Sequence, residues 1–276
     1  MGYAAKAIES YHVFDQLKRA GVIPAAVKFQ VSLPTAVSLP TVFIRLEDRM
    51  HVEPALEVAI RREVEQMVAA IPAGELAIQW DFCHEVIGYD GGIKLHFKDV
   101  LENATQRLCG LIESVPAQIE AGVHMCYGDP GHKHVIEPKD ASTCAAFTAK
   151  ILATCSRPVT WVHIPIPRGW KDVNYYRPLA QLKTADTQIY LGLVHYTDGI
   201  EGTVQRIGLA HQVLPTFGIA TECGFGRRNP ATVPQLLKIH RDAAAALNGS
   251  HRGSRWPAVE TAFNACQLDG TTSRAA

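Results

Sequence analysis

His124 and Cys126 stand two residues apart in a β-favouring run, Ala121 to Tyr127. On a strand, residues two apart project from the same face. An imidazole and a thiolate side by side make half of a zinc site, with metal–ligand bonds of about 2.0–2.3 Å. Cys223, in the segment Glu222-Cys223-Gly224, becomes a third donor if the strands carrying the two motifs curl toward one another. Three protein donors and an open position form the pattern of a catalytic zinc. His163 ends another apolar run and is a candidate fourth ligand or substrate contact; a strand-end histidine bonded to backbone is the alternative. For the other three residues the alternative is two buried core thiols and a satisfied histidine. The chain contains no CxxC or HExxH, which argues against a zinc finger or a thermolysin-like protease.

Other strand ends carry ionisable groups. His195 closes Leu191 to Val194 and suits a general acid, since an imidazole titrates near neutrality; a structural role is its rival. Asp81 follows Ile78-Gln79-Trp80 and could hold a substrate ammonium group or cap a helix. Glu222 could orient a ligand or face solvent. Arg227 and Arg228 suit a carboxylate or phosphate, or a solvated helix entry, and the Gly131 to His134 loop is metal-like in composition but expected to be exposed. Cys83, Cys109, Cys144, Cys155 and Cys266 are assigned packing roles or none.

Six apolar runs must position these groups: Val27–Leu33, Leu76–Asp81, Ala121–Tyr127, Val159–Pro165, Ile189–His195 and Phe217–Cys223. Helical periodicity lies between them. Leu56, Ile60, Val64, Met67 and Ile71 recur at steps of three and four, with Pro54 in the expected first turn and Glu57–Arg61 as an i,i+4 pair. Further helices are expected over Tyr3–Arg19, closed by Gly21; after Asp140, with Cys144, Phe147, Ile151 and Cys155 on one face; and from Asn229-Pro230. Strand alternating with helix implies parallel strands, in either a (β/α) barrel or an open doubly wound sheet. The only Gly-rich candidate, Gly224-Phe225-Gly226, is a poor phosphate loop, whereas polar groups at five strand ends are what a barrel places at one mouth. The expected layout is one barrel-like domain over 1–247 and a loosely ordered tail over 248–276, in which Val259–Cys266 could form a short helix.

Composition agrees with a globular chain: of 276 residues 47% are hydrophobic and 20% charged. Lys plus Arg equals Asp plus Glu at 27 each, so no nucleic-acid partner is indicated. The longest charge-free stretch, Phe29 to Ile44, is short and broken by Pro34 and Pro40, so no membrane span is expected. The segment Met1 to Lys6 lacks an apolar signal core, and the expected location is cytoplasmic. Seven cysteines, an odd count, argue for reduced thiols or metal ligands over a disulfide framework.

Together, Ile78-Gln79-Trp80-Asp81, Val123-His124-Met125-Cys126-Tyr127, Leu193-Val194-His195 and Thr221-Glu222-Cys223-Gly224 resemble the zinc-dependent methyltransferase superfamily typified by the C-terminal barrel of cobalamin-independent methionine synthase. They keep that family's order from about Lys28 to about His240. The resemblance implies a TIM-type (β/α) barrel with Zn²⁺ on His124, Cys126 and Cys223. It implies Asp81 as the aspartate that holds an acceptor's amino group and His195 as the histidine that assists proton movement at the donor. The small-molecule partners it implies are a thiol acceptor and a methyl or alkyl donor. Where the family has a glutamate as fourth ligand, this chain offers His163. The family barrel has eight strands and six are counted here, so the first two have no counterpart, the mark of a truncated barrel; association into a homo-oligomer is one way to cover its edges. The alternatives are a metal-assisted lyase, hydrolase or decarboxylase on the same barrel, or an inactive truncated barrel.

Overall fold

A computed structural model describes residues 1–128, 133–226 and 228–250. Among them lie six strands: β1 (Phe29–Pro34), β2 (Leu76–Phe82), β3 (Glu120–Met125), β4 (Trp161–Pro165), β5 (Gln188–Val194) and β6 (Gly218–Thr221). Each expected run lands on a strand, with ends moved by two residues or fewer. The helices are α1 (Tyr3–Arg19), α2 (Ser38–Phe43), α3 (Arg49–Ala70), α4 (His84–Tyr89), α5 (Val100–Glu113), α6 (Ser142–Thr154), α7 (Gly199–His211) and α8 (Val233–Ser250).

All strand pairs are parallel, and their spatial order is the chain order, β1 through β6. A doubly wound sheet reverses its strand order at a switch point. No reversal occurs here, so the winding is that of a TIM-type barrel. β1 and β6 are the two edges, and no pairing joins them among the described residues.

The register explains the division into layers. Trp80 and Phe82 of β2, Val123 and Met125 of β3, and Val162 and Ile164 of β4 alternate toward one face and are fully buried. That face meets the helices: Phe82 packs edge-on against Phe147 of α6 with ring centroids 5.0 Å apart, and Leu108, Leu111 and Ile112 of α5 join the same core. The opposite face carries Gln79, Asp81, Gly122, His124, Trp161 and His163. Gly122 is required there by a close approach, since a Cβ at this position would lie 2.1 Å from the Trp161 indole. Trp161 Nε1 donates to Gln79 Oε1 at 3.3 Å across the gap.

Several local expectations need correction. α3 starts at Arg49, so Pro54 sits inside the helix and deprives the Met50 carbonyl of a backbone bond. α8 runs on to Ser250, past the expected limit at Leu247. The remainder of the expected tail, with the Val259–Cys266 helix, lies outside the described residues, as do Gly131, His132 and Arg227. Cys109 and Cys155 are joined in a disulfide with a Cα–Cα separation of 5.0 Å, contrary to the expectation of reduced thiols. Their helical segments, α5 and the end of α6, pack side by side, a proximity that an odd cysteine count does not reveal. Among the described residues no helix is long and apolar enough to cross a membrane.

Candidate metal centre

The C-terminal ends of β2 to β6 deliver the chemistry. β3 places His124 and Cys126 on the same side, one residue within the strand and one just beyond it. The segment after β6 brings in Cys223, and the Cys126 and Cys223 sulfurs lie 4.0 Å apart. One ligand atom from each of His124, Cys126 and Cys223 lies within 4.8 Å of the others. His124 is 4% exposed, and both its ring nitrogens are buried without a hydrogen-bond partner. Orphaned buried nitrogens are costly unless something binds them. Burial, and then the neighbouring His163, hold the His124 pKa well below its ordinary value, so the ring is neutral, the form that ligates metal. For Cys126, contact with Cys223 favours the thiolate, but contact with Cys83, burial and the charge of Cys83 outweigh it and push the thiol up. Nitrogen and sulfur donors in this number suit zinc rather than the oxygen-seeking magnesium or calcium.

His163 is opposite His124 in the β3–β4 register. Its ring stacks on the His124 ring, with centroids 4.3 Å apart and planes at 28°. It does not join the trio, and its buried Nε2 has no partner. Burial pulls its pKa down to about 4.

Asp81 lies opposite His124 on the other side, half-buried, with Oδ1 accepting a bond from Gln79 Nε2 at 3.0 Å. The row Asp81, His124, His163 therefore crosses three adjacent strands. His195 follows β5; its Nε2 faces the Ile166 carbonyl at 2.8 Å and its Nδ1 faces Glu222 Oε2 at 3.4 Å. Burial lowers the His195 pKa, although the Glu222 charge opposes it. Glu222 also pairs through Oε1 with His134 Nε2 at 3.0 Å. His134 is thus an internal ion-pair partner rather than an exposed loop residue. Burial disfavours its charge, but hydrogen bonds and charges from Glu222 and then Glu137 prevail and raise its pKa to about 9. Arg228 is half-buried on the approach to α8.

Sequence reading missed two neighbours of the site. Cys83 had a readable signal: it is two residues beyond Asp81, in step with the face that carries the site. His134 had none, because its partner Glu222 lies far along the chain.

Gly192 of β5 keeps the last strand close. A Cβ there would stand 2.8 Å from the Glu222 Cα and 3.3 Å from His163 Nε2. Gly192→Ala is expected to push the Glu222-Cys223 backbone outward, to cost about 1–3 kcal/mol of stability and to weaken metal binding. Thermal unfolding and zinc titration of the variant check both effects.

Among solved structures, the chain is similar to a B12-independent methionine synthase from Shewanella sp. W3-18-1 in complex with selenomethionine, with a TM-score of 0.59 and 13% identity over 81% of this chain and 63% of that one. It is also similar to a protein from Listeria monocytogenes provisionally described as a vitamin-B12-independent methionine synthase, with a TM-score of 0.53 and 18% identity over 82% of this chain and 64% of that one. The chain spans less than two thirds of the length of either structure. At such identities the likeness establishes the fold. No family model matches the chain, and no curated protein does.

Proposed function

We propose that this chain transfers a methyl or other alkyl group to a small thiol acceptor, using a zinc ion held by His124, Cys126 and Cys223. The observation that carries this reading is the His124 ring, buried with two unpartnered nitrogens beside two sulfurs 4.0 Å apart. The likeness to methionine-synthase structures supports the same reaction class. Zinc, when bound, supplies the Lewis acidity that keeps an acceptor sulfur as thiolate at neutral pH.

The chain's own residues do the rest. Asp81, tethered by Gln79 beside His124, offers a carboxylate to the ammonium group of an amino-acid-like acceptor. His195 Nε2–H donates to the Ile166 carbonyl, so Nδ1 is the nitrogen that can take up and release a second proton. Glu222 stabilises that proton when it is present. As the alkyl group moves from donor to acceptor sulfur, the bond to the donor's leaving atom breaks, and His195 gives its proton to that atom. Glu222, anchored by His134, keeps the imidazole aimed.

The test is product analysis. Zinc-loaded protein, incubated with a panel of small thiols and methyl donors, is expected to yield a thioether detectable by mass spectrometry, and His195→Ala is expected to lower its rate about 10²–10⁴-fold. A cleaved or decarboxylated substrate with no thioether overturns the reading.

A further inference from the structure

Gln79 joins side chains from three strands. It is buried on the face of β2 that carries Asp81, two residues before it. Its Nε2 donates to Asp81 Oδ1 at 3.0 Å and to Ser32 Oγ of β1 at 3.1 Å. Its Oε1 accepts from Trp161 Nε1 of β4 at 3.3 Å. Both amide hydrogens and the amide oxygen are thereby engaged.

Trp161 reaches Gln79 by crossing β3. Gln79, Gly122 and Trp161 are register neighbours on three successive strands. With no side chain at Gly122, the indole lies across that position: a Cβ there would stand 2.1 Å from Trp161 Cε2 and 2.5 Å from Nε1. The partners of the amide are not interchangeable. An indole N–H only donates, and an ionised carboxylate only accepts. Trp161 therefore takes the oxygen of the amide, and the NH2 is left to point at Asp81. Turned over, the amide would set N–H against N–H and oxygen against carboxylate oxygen, both repulsive. Asp81 and His124 are the next pair along the same face, so the direction of this amide bears on where the carboxylate stands beside the metal ligands.

We propose that Gln79 is the positioning residue for Asp81 and that Trp161 sets the direction of its amide, so that the site favours small thiols bearing an ammonium group over uncharged ones. This rests on the alkyl-transfer reading above, in which Asp81 receives the acceptor's ammonium group, and it leaves the open position on the metal to the acceptor sulfur. The physical reason is preorganisation. A hydrogen bond to a charged acceptor is stronger than one between neutral groups, and it holds the carboxylate in place before the ammonium group arrives.

The experiment compares two thiols of equal length: 2-aminoethanethiol, which carries an ammonium group, and 2-mercaptoethanol, which does not. Each is titrated calorimetrically into zinc-loaded wild type, Asp81→Asn, Gln79→Met and Trp161→Phe. Gln79→Met keeps the shape of the side chain and removes its hydrogen bonds; Trp161→Phe keeps an aromatic ring over Gly122 and removes the donor. The affinity ratio in Asp81→Asn gives the share that comes from the thiols' own acidity. Wild type is expected to exceed that ratio about tenfold, and Gln79→Met and Trp161→Phe to fall about fivefold below wild type. Zinc content and 2-mercaptoethanol affinity are expected to stay unchanged, which a general loss of structure would not allow. The full wild-type ratio retained in either variant would overturn the positioning pair and leave the zinc reading intact. A wild type that matches Asp81→Asn would overturn the pair together with the ammonium anchor. If neither thiol binds the zinc-loaded wild type, the alkyl-transfer reading falls as well.

Discussion

Cys126→Ala protein is expected to lose its stoichiometric zinc and its alkyl-transfer activity together. Cys126 shares its strand with His124 and its sulfur lies 4.0 Å from that of Cys223, so it sits between the other two donors. Removing it leaves the trio with His124 and Cys223, one donor short of the three that a catalytic zinc uses. Disturbing a group that merely orients a ligand costs about 10–100-fold in metal affinity. Deleting the ligand itself is expected to cost more, about 10³-fold, which is ~4 kcal/mol of binding free energy. The metal-free variant should nonetheless fold, because the thiol it loses is buried and held protonated by its surroundings. Cys144→Ala is the matched control: Cys144 is equally buried but packs in the core near Tyr127, and it should keep its zinc. Metal analysis after dialysis reads the outcome. One equivalent of zinc retained by Cys126→Ala, and equally by His124→Ala and Cys223→Ala, would refute the centre.

Arg206→Ala is expected to be the most destabilising single change outside the metal centre. The Arg206 side chain is 3% exposed. It donates from Nε to the Leu193 carbonyl at 2.9 Å and forms a fork with Asp198, at 2.6 Å and 2.9 Å. This clamp ties α7 to the end of β5, the strand that presents His195. Truncation leaves a cavity, an unpaired carbonyl and a carboxylate stripped of its partner. Because Asp198 reaches partly into solvent, the expected loss is at the lower end of the range for broken buried pairs, about 3 kcal/mol. In a domain of this size that lowers the melting temperature by roughly 6–12 °C. The pH dependence has a definite sign. Burial alone would raise the Asp198 carboxyl, but the hydrogen bonds and charge of Arg206 outweigh it and hold it below the usual range. A depressed carboxylate contributes stability above its unfolded pKa and loses it as pH falls through the folded value. The gap between wild type and variant should therefore hold down to about pH 4 and close below it. A variant melting within a degree or two of wild type at pH 7 would refute the clamp.

Much of the fold was legible because its signals are local. The strands at Leu76–Phe82 and Gln188–Val194 are continuous β-favouring runs, as buried parallel strands must be. α1 fills its expected span, and Gly21 adopts φ +74°, which suits the residue that follows a helix end. Asn229 accepts from the Ala231 amide and Asp140 from the Ser142 amide, so both polar residues serve their helix starts as expected. Pro54 misled because a proline that suits a first turn is also tolerated inside a helix when flanking turns hold it.

The five cysteines assigned to packing or to nothing show where local reading stops. Cys109 and Cys155 are bonded to each other, Cys144 is core, and Cys83 is a free, half-buried thiol just past the end of β2. Nothing in their flanking residues separates these fates. His163 is a similar case: its strand-end position is plain in the sequence, but its stacking on His124 follows from a register that pairs the two.

By itself, then, the sequence determined the alternation of strand and helix, the parallel winding, and the set of imidazoles, thiols and carboxylates that parallel strands must carry to one side. Those follow from side-chain periodicity, a property of neighbours a few residues apart. Only the tertiary structure decided which of these groups meet: Cys126 with Cys223, and Glu222 with both His134 and His195. Such meetings depend on inter-strand register and on how closely strands approach, as at Gly122 and Gly192, and both are set by the packing of the whole sheet against its helices.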